Sequence, residues 1–492
     1  MISRSSCAFG LSALLVLAAC GTVSADFPPD DAAPDAGVDD AHGPDAELPP
    51  PVDGRATGEM ALSLPDGKLT LVRGTTSRVK FTLERKNGFA GAVTISLANA
   101  PAGLTAKPLE LASDATTGDL ELVVGKDVLQ GELVGVSVEG SNPGLKDRAS
   151  FPLAAFVRGA PGEIDTTYAT DGVVTLGPLE FGLAAPGTGE FYTTGASPMK
   201  RYRADGTVDP SFSGIGFTEG TLAGNFVYGC SLSFPSGGEP ETIVGASRVS
   251  ILTGQRDTAF GSTSPVLSGN RSKYGCIASA AGNVALLGIS YGITFPPYYG
   301  NVSWFNSAGT YTTSYSTPTP DDFRTGVFLA DGIVVSTTTG IAKLKTGATA
   351  LDTSFGAGGR VALSSGGRIT NILEDADKKL LVANATYTAR VTASGSLDGT
   401  FVPAATGLTP ADAAVRLAVQ NDGKILKGVQ LGGGDGRACA ITRYLPTGAL
   451  DTTFGNQGSA HYPISPCSPQ LLAVTPDGRI LVGSPKVLRI WD

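Results

Sequence analysis

The chain has 492 residues, 66 of them Gly and 32 Pro, with 16% charged residues and a formal net charge of -9. The length accommodates two or three domains that each bury a core, and the acidic balance leaves no basic field for nucleic acid. Val, Ile, Thr and Tyr dominate the apolar runs, which favours short strands joined by tight turns over helices.

Arg4 and the free amine make a positive start, a short apolar stretch runs from Ala8 to Ala19, and Leu17-Ala18-Ala19-Cys20 closes it. The stretch is too short to cross a bilayer. The motif resembles a bacterial lipobox, which implies that residues 1-19 are a lipoprotein signal peptide and that Cys20 becomes the lipid-modified first residue of the mature chain. An ordinary secretory signal is the alternative. Gly21 rather than Asp follows Cys20; in lipoproteins of this type that implies a lipid-anchored place in the outer membrane or at the cell surface, with the membrane itself as a partner.

Residues 20-56 read as a disordered tether. Asp26 to Asp53 holds nine acidic residues, with Pro and Ala between them and no Lys or Arg. Such a segment cannot bury enough apolar area to offset the entropy of ordering. Like-charge repulsion and Pro extend it toward about 3 Å per residue.

Residues 57-158 alternate as half-buried antiparallel strands do: Val79, Phe81 and Leu83 in one run, Val93, Ile95 and Leu97 in the next. Asn87-Gly88, Pro101-Ala102-Gly103 and Asn142-Pro143-Gly144 punctuate about seven such runs. The stretch from Gly88 to Thr94 and Pro101 to Thr105 resembles immunoglobulin-like modules of bacterial surface proteins. That implies a β-sandwich acting as a spacer, or as an adhesive module through its end loops.

Residues 159-492 carry a repeat, Asp-x-Ser/Thr-Phe/Tyr. Copies begin at Asp165, Asp209, Asp257, Asp352, Asp398 and Asp451 and end at Tyr168, Phe212, Phe260, Phe355, Phe401 and Phe454. A Gly stands three residues before most of these Asp residues: Gly162, Gly206, Gly254, Gly395 and Gly448, with Gly347 two residues further back. The same landmark at Gly309 picks out Thr312 to Tyr315, a copy whose Asp has become Thr. Seven units of 40 to 55 residues, each with a hairpin turn such as Asp422-Gly423 or Asp477-Gly478, describe a seven-bladed β-propeller. Leu351 to Gly359, Ala418 to Leu426, and Arg443-Tyr444 before Thr447 to Asp451 resemble the delta-60 repeat, a β-propeller repeat of bacterial secreted proteins. The resemblance implies fold and surface location, and no catalytic residue. In each unit the aromatic is spaced to wedge between neighbouring blades, and the Asp to cap its own turn. The fold class is therefore all-β, an immunoglobulin-like β-sandwich followed by a seven-bladed β-propeller.

With Cys7 in the signal and Cys20 lipidated, Cys230, Cys276, Cys439 and Cys467 remain. Four cysteines allow three connectivities. Matching contexts, Tyr228-Gly229-Cys230 and Tyr274-Gly275-Cys276, favour Cys230 with Cys276, leaving Cys439 with Cys467. Buried free thiols are the alternative, and no Cys-x-x-Cys spacing points to a metal.

Chemistry-bearing residues are sparse. Of the two His, His42 lies in the tether and His461 reads as an exposed loop residue beside Tyr462. No cofactor is expected; Glu374, Asp375 and Asp377 could hold Ca²⁺ but read as a solvated turn, and Gly432 to Gly436 as a flexible loop. The clearest recognition candidate is Phe295-Pro296-Pro297-Tyr298-Tyr299, a ligand-binding loop in which the prolines would hold Tyr298 and Tyr299 as an aromatic face for sugar or protein. Trp304 and Phe305 read as strand core. The leading expectation is a non-catalytic binding or adhesion module for a protein or glycan. A propeller hydrolase or lactonase, or an envelope scaffold subunit, is the alternative.

Overall fold

The computed structural model of the chain describes residues 58–492 apart from 178–179, 186, 196–197, 216, 218–219, 234–240, 262–265, 269, 292–297, 365, 409 and 433–437. The signal, Cys20, the tether and His42 lie outside the described residues, as do Phe295 to Pro297 and most of the Gly432 to Gly436 run. The described residues are all-β, with many small antiparallel sheets.

Two four-stranded sheets open the structure. One orders Glu59–Ser63, Thr76–Lys86, Thr117–Val124 and Leu104–Ala106; the other Ala149–Pro152, Ser137–Ser141, Val93–Ala98 and Leu109–Leu111. Alternation sets their inner faces. In Thr76–Lys86, Val79, Phe81 and Leu83 are buried while Arg78, Lys80 and Thr82 face out. Val93, Ile95, Leu120 and Leu122 meet them in one core. A third sheet, not foreseen from the alternation, places Ala155–Arg158 between Leu69–Val72, to which it is parallel, and Gly131–Glu132.

Seven further sheets follow. The first joins Val173–Thr175 to Lys486–Ile490, Ile480–Val482 and Leu472–Val474, so that residues some 300 apart share a ladder: Val173 pairs with Leu488. The second holds Phe181–Ala184, Phe191–Thr194 and Arg201–Tyr202; the third Thr221–Ala223, Phe226–Ser233, Glu241–Ser250 and Val266–Ser268. The fourth runs Asn270–Ala278, Val284–Tyr291, Tyr298–Phe305 and Tyr311–Ser316, and the fifth Gly326–Phe328, Gly332–Ser336, Gly340–Lys345 and Arg360–Ala362. Asn371–Glu374, Leu380–Ala383 and Thr388–Val391 form the sixth; Pro410–Val419, Ile425–Leu431, Ala438–Tyr444 and Ser459–Tyr462 form the seventh.

Each sheet shares a buried core with the next, and the seventh shares one with the first. Phe355, for example, lies among Val334 and Ile341 of the fifth sheet and Leu380 and Val382 of the sixth. Every seam receives the aromatic of one repeat: Tyr168, Phe212, Phe260, Tyr315, Phe355, Phe401 and Phe454 in turn. Burying one such side chain contributes about 1.5–3 kcal/mol.

The landmark glycines locate each seam. All seven have positive φ, between 71° and 92°. A side chain on Gly395 would strike the backbone of Gly356, and one on Gly309 that of Gly261, because the chain leaving one unit's aromatic runs against the Gly of the next. Hydrogen bonds fix the approach: Gly356 N–H donates to Ser394 O and Gly261 N–H to Ala308 O, at 2.9 and 3.0 Å. Gly347 follows the unit that lost its Asp, and the space beside it is open.

Candidate functional site

The motif residues assemble in one way six times. Asp398 Oδ1 accepts the backbone N–H and the hydroxyl of Thr400, at 3.0 and 2.6 Å, which closes an Asx turn. Its Oδ2 accepts Arg390 Nε and Lys379 Nζ, both at 2.8 Å, and the Arg390 guanidinium lies 5.0 Å from the Phe401 ring centroid. Arg201 with Asp209 and Phe212, Arg248 with Asp257 and Phe260, and Arg443 with Asp451 and Phe454 repeat the set. Lys343 takes the basic place beside Asp352 and Phe355, and Arg489 beside Asp165 and Tyr168.

In the copies at Asp209, Asp257, Asp352 and Asp398 these partners lower the carboxyl pKa. The Ser211 hydroxyl and then Arg201 keep Asp209 well below the usual carboxylate range, and Lys379 followed by Thr400 does the same for Asp398. Arg248 lowers Asp257, and Ser354 lowers Asp352. The turn-capping basic partner was missed in the sequence, although Arg201, Arg248, Lys343, Arg390 and Arg443 stand eight or nine residues before their Asp.

The copy without Asp is built differently. Tyr311–Ser316 runs straight on as a strand, Thr312 Oγ1 donates to Trp304 O at 3.4 Å, and Trp304 occupies the position that a basic residue takes elsewhere. Its indole donates to Ala348 O at 3.0 Å, and Tyr315 stacks on Phe323 in the same seam. Beyond this copy Asp321 accepts Arg360 at 2.6 Å and the Thr338 backbone N–H at 2.9 Å.

Two disulfides cross seams: Cys230–Cys276 between the third and fourth sheets, and Cys439–Cys467 between the seventh and first. Tyr298 and Tyr299 open a strand and pair with Tyr291 and Ser290, where the sequence suggested a loop; Tyr298 is 40% exposed. The Val284–Tyr291 strand extends far enough to pair both. His461 is likewise a strand residue, exposed and opposite Ala440. Asp375 caps its own turn by accepting Asp377 and Lys379 N–H, each at 2.9 Å.

One cluster departs from the repeat, at the seam of the sixth and seventh sheets. In the fifth and seventh sheets the aromatic is followed by Gly-x-x-Gly, Gly356 to Gly359 and Gly455 to Gly458, with positive φ at both ends. That turn starts the fourth strand of each. After Phe401 the sequence is Val402-Pro403-Ala404-Ala405, the segment to residue 408 is irregular, and no fourth strand is described. A cavity of about 360 Å³ lies there, lined by Ala385 to Thr388, Pro403 to Leu408, Lys427 and Tyr444.

Lys427 is 5% exposed at this cavity. Its Nζ donates to Thr388 Oγ1 at 3.0 Å and to Tyr387 O at 3.3 Å. Burial pushes its ammonium down to about 8, and pushes the Tyr444 hydroxyl up to about 12. Sequence reading missed this residue; the signal available was Val402 in the place of Gly. Another cavity, of about 430 Å³, lies between Gly58 to Met60, Asn87 and Leu145 to Arg148, but its charged side chains from Lys146 to Arg148 are exposed.

A family described as a domain of unknown function (DUF5122) beta-propeller matches residues 420–454, the segment that contains Lys427 and the Asp451 copy. No curated protein matches. Among solved structures, domains 4–9 of the surface layer protein SbsC align at 10% identity over 82% of each chain with a TM-score of 0.16. A longer SbsC structure aligns at 11% identity and a TM-score of 0.11, covering 87% of this chain and 54% of that one. Neither alignment supports a shared fold at these scores.

Proposed function

We propose that the chain is a cell-envelope lipoprotein anchored by a lipid on Cys20, in which residues 20-56 are a tether and residues 57-158 an immunoglobulin-like sandwich. The seven following sheets are the blades of a β-propeller that serves as a non-catalytic binding or adhesion module for a protein or glycan. The observation that carries this reading is the commitment of all six repeat carboxylates to their own turns and basic neighbours. Such residues hold blades in place, and recognition falls to the positions where the repeats differ.

Further support comes from the cyclic order of the seven seams, the match of residues 420–454 to a propeller family, and two disulfides, which suit an oxidising compartment outside the cytoplasm. The test is a pull-down from detergent-solubilised envelope with the mature chain, followed by a glycan array. Specific retention of one protein or glycan is expected. Turnover of ester, lactone or glycoside substrates without stable capture would overturn the reading.

A further inference from the structure

We infer that the cavity over Lys427 is a binding site for a small organic carboxylate; this deepens the reading of the chain as a binding module and rests on it. Three Lys or Arg side chains are buried among the described residues: Lys343, Lys427 and Arg443. Lys343 meets Asp331 and Asp352, and Arg443 meets Asp451 and Asp492. Lys427 meets a carbonyl and a hydroxyl, both neutral, and the cavity lining contains no Asp or Glu. An ammonium has three N–H donors, and a buried cation without a counter-charge is costly unless something supplies one. A ligand carboxylate does so through charge-assisted hydrogen bonds to the ammonium.

The walls suit the rest of such a ligand. Pro403, Ala404 and Leu408 offer an apolar side, Thr386 and Tyr387 a polar one, and about 360 Å³ accommodates a single ring with its substituents. The site arises from a local departure from the repeat: where the flanking sheets have Gly-x-x-Gly and a fourth strand, the segment after Phe401 is irregular and its residues 403–408 line the cavity with Lys427.

The other titratable groups facing the cavity are Tyr387 and Tyr444, and burial raises both. They stay neutral through the range in which Lys427 changes charge. Carboxylate affinity is therefore level between about pH 5 and 7 and falls about tenfold per unit above pH 8, as the ammonium loses its proton.

The experiment is calorimetric titration of the mature chain at pH 7 with two matched pairs, glucuronate against glucose and benzoate against benzyl alcohol. At least one acid should bind tenfold or more tightly than its neutral partner, and Lys427→Met and Lys427→Gln should each remove that preference while keeping the wild-type circular dichroism. Equal binding within both pairs, no binding by either acid, or a preference that survives in both variants would overturn the assignment. If neither acid shows a Lys427-dependent preference while the mature chain still captures an envelope partner, the pocket is refuted and the binding module stands. Failure of every capture refutes the module instead, and the titration of the acids is read independently of it.

Discussion

Arg489 Nε donates to Asp165 Oδ2 at 2.8 Å, and its guanidinium lies 4.3 Å from the Tyr168 ring. The pair spans 324 residues yet copies one that elsewhere is eight or nine residues apart. Asp165 is fully buried, and Arg479 at 3.0 Å is its second cation. Arg489→Ala should therefore cost about 3 kcal/mol, read from a urea melt, since it strips a buried carboxylate of one partner and an aromatic of its cover. Asp165→Asn, which retains an acceptor for the Thr167 N–H, should cost less. A neutral Arg489→Ala would contradict the role given to this pair.

Phe355→Ala should destabilise by about 3–5 kcal/mol, because the ring fills the seam of the fifth and sixth sheets with 1% of its surface exposed. Partner binding by the surviving fold should be unchanged. Lost affinity in a folded variant would move the motif from structure to recognition.

Acid should weaken the protein in a defined window. Asp209, Asp257, Asp352 and Asp398 are all lowered in the folded state, whereas an unfolded Asp titrates near about 3.9. Their stabilisation is present above that value and is lost as pH falls through the lower folded values, so the melting temperature should be flat from about pH 5 to 7 and drop below about 4. Asp398→Asn should make that drop shallower.

Reduction of the seam disulfides should loosen the fold. Cys439 and Cys467 are 28 residues apart and Cys230 and Cys276 46 apart. Loop-closure entropy puts each crosslink at about 4 kcal/mol. The double variant Cys439→Ser, Cys467→Ser should lose a comparable amount, with thiol titration confirming that the other pair stays oxidised.

Lys427 should lower stability at neutral pH. Burial takes it from 10.5 to about 8, so folding disfavours its charged form, and the loss grows as pH falls from about 10.5 toward 8 and is complete below. Lys427→Met should raise stability at pH 7 by up to roughly 3 kcal/mol, and the gain should shrink above pH 9. A destabilised variant at pH 7 would argue that the amine is structurally required.

Local signals made much of the seam pattern readable. Gly309 exposed the Tyr315 copy because its positive φ is needed even where the Asp is gone, and the twin Tyr-Gly-Cys contexts pointed to Cys230 and Cys276 as one pair. The basic partner of each Asp escaped because its spacing varies between eight and nine and one copy uses Lys343. The sixth partner, Arg489, sits at the far end of the sequence. Lys427 escaped for another reason: a strand pattern shows which face a side chain takes, but not that an irregular segment after Phe401 leaves a cavity beside it.

The strand Lys486–Ile490 pairs with Val173–Thr175, supplies Arg489 to Asp165, and leads into Trp491. Gln130 and Arg158 of the N-terminal sheets meet that indole, Gln130 Oε1 accepting its N–H at 2.7 Å and Arg158 lying 5.7 Å from its ring. The strand that completes the first sheet and the indole that Gln130 and Arg158 meet are thus neighbours in sequence. Such long-range pairing forms late. Fraying of this one strand would open the first sheet and release the indole together.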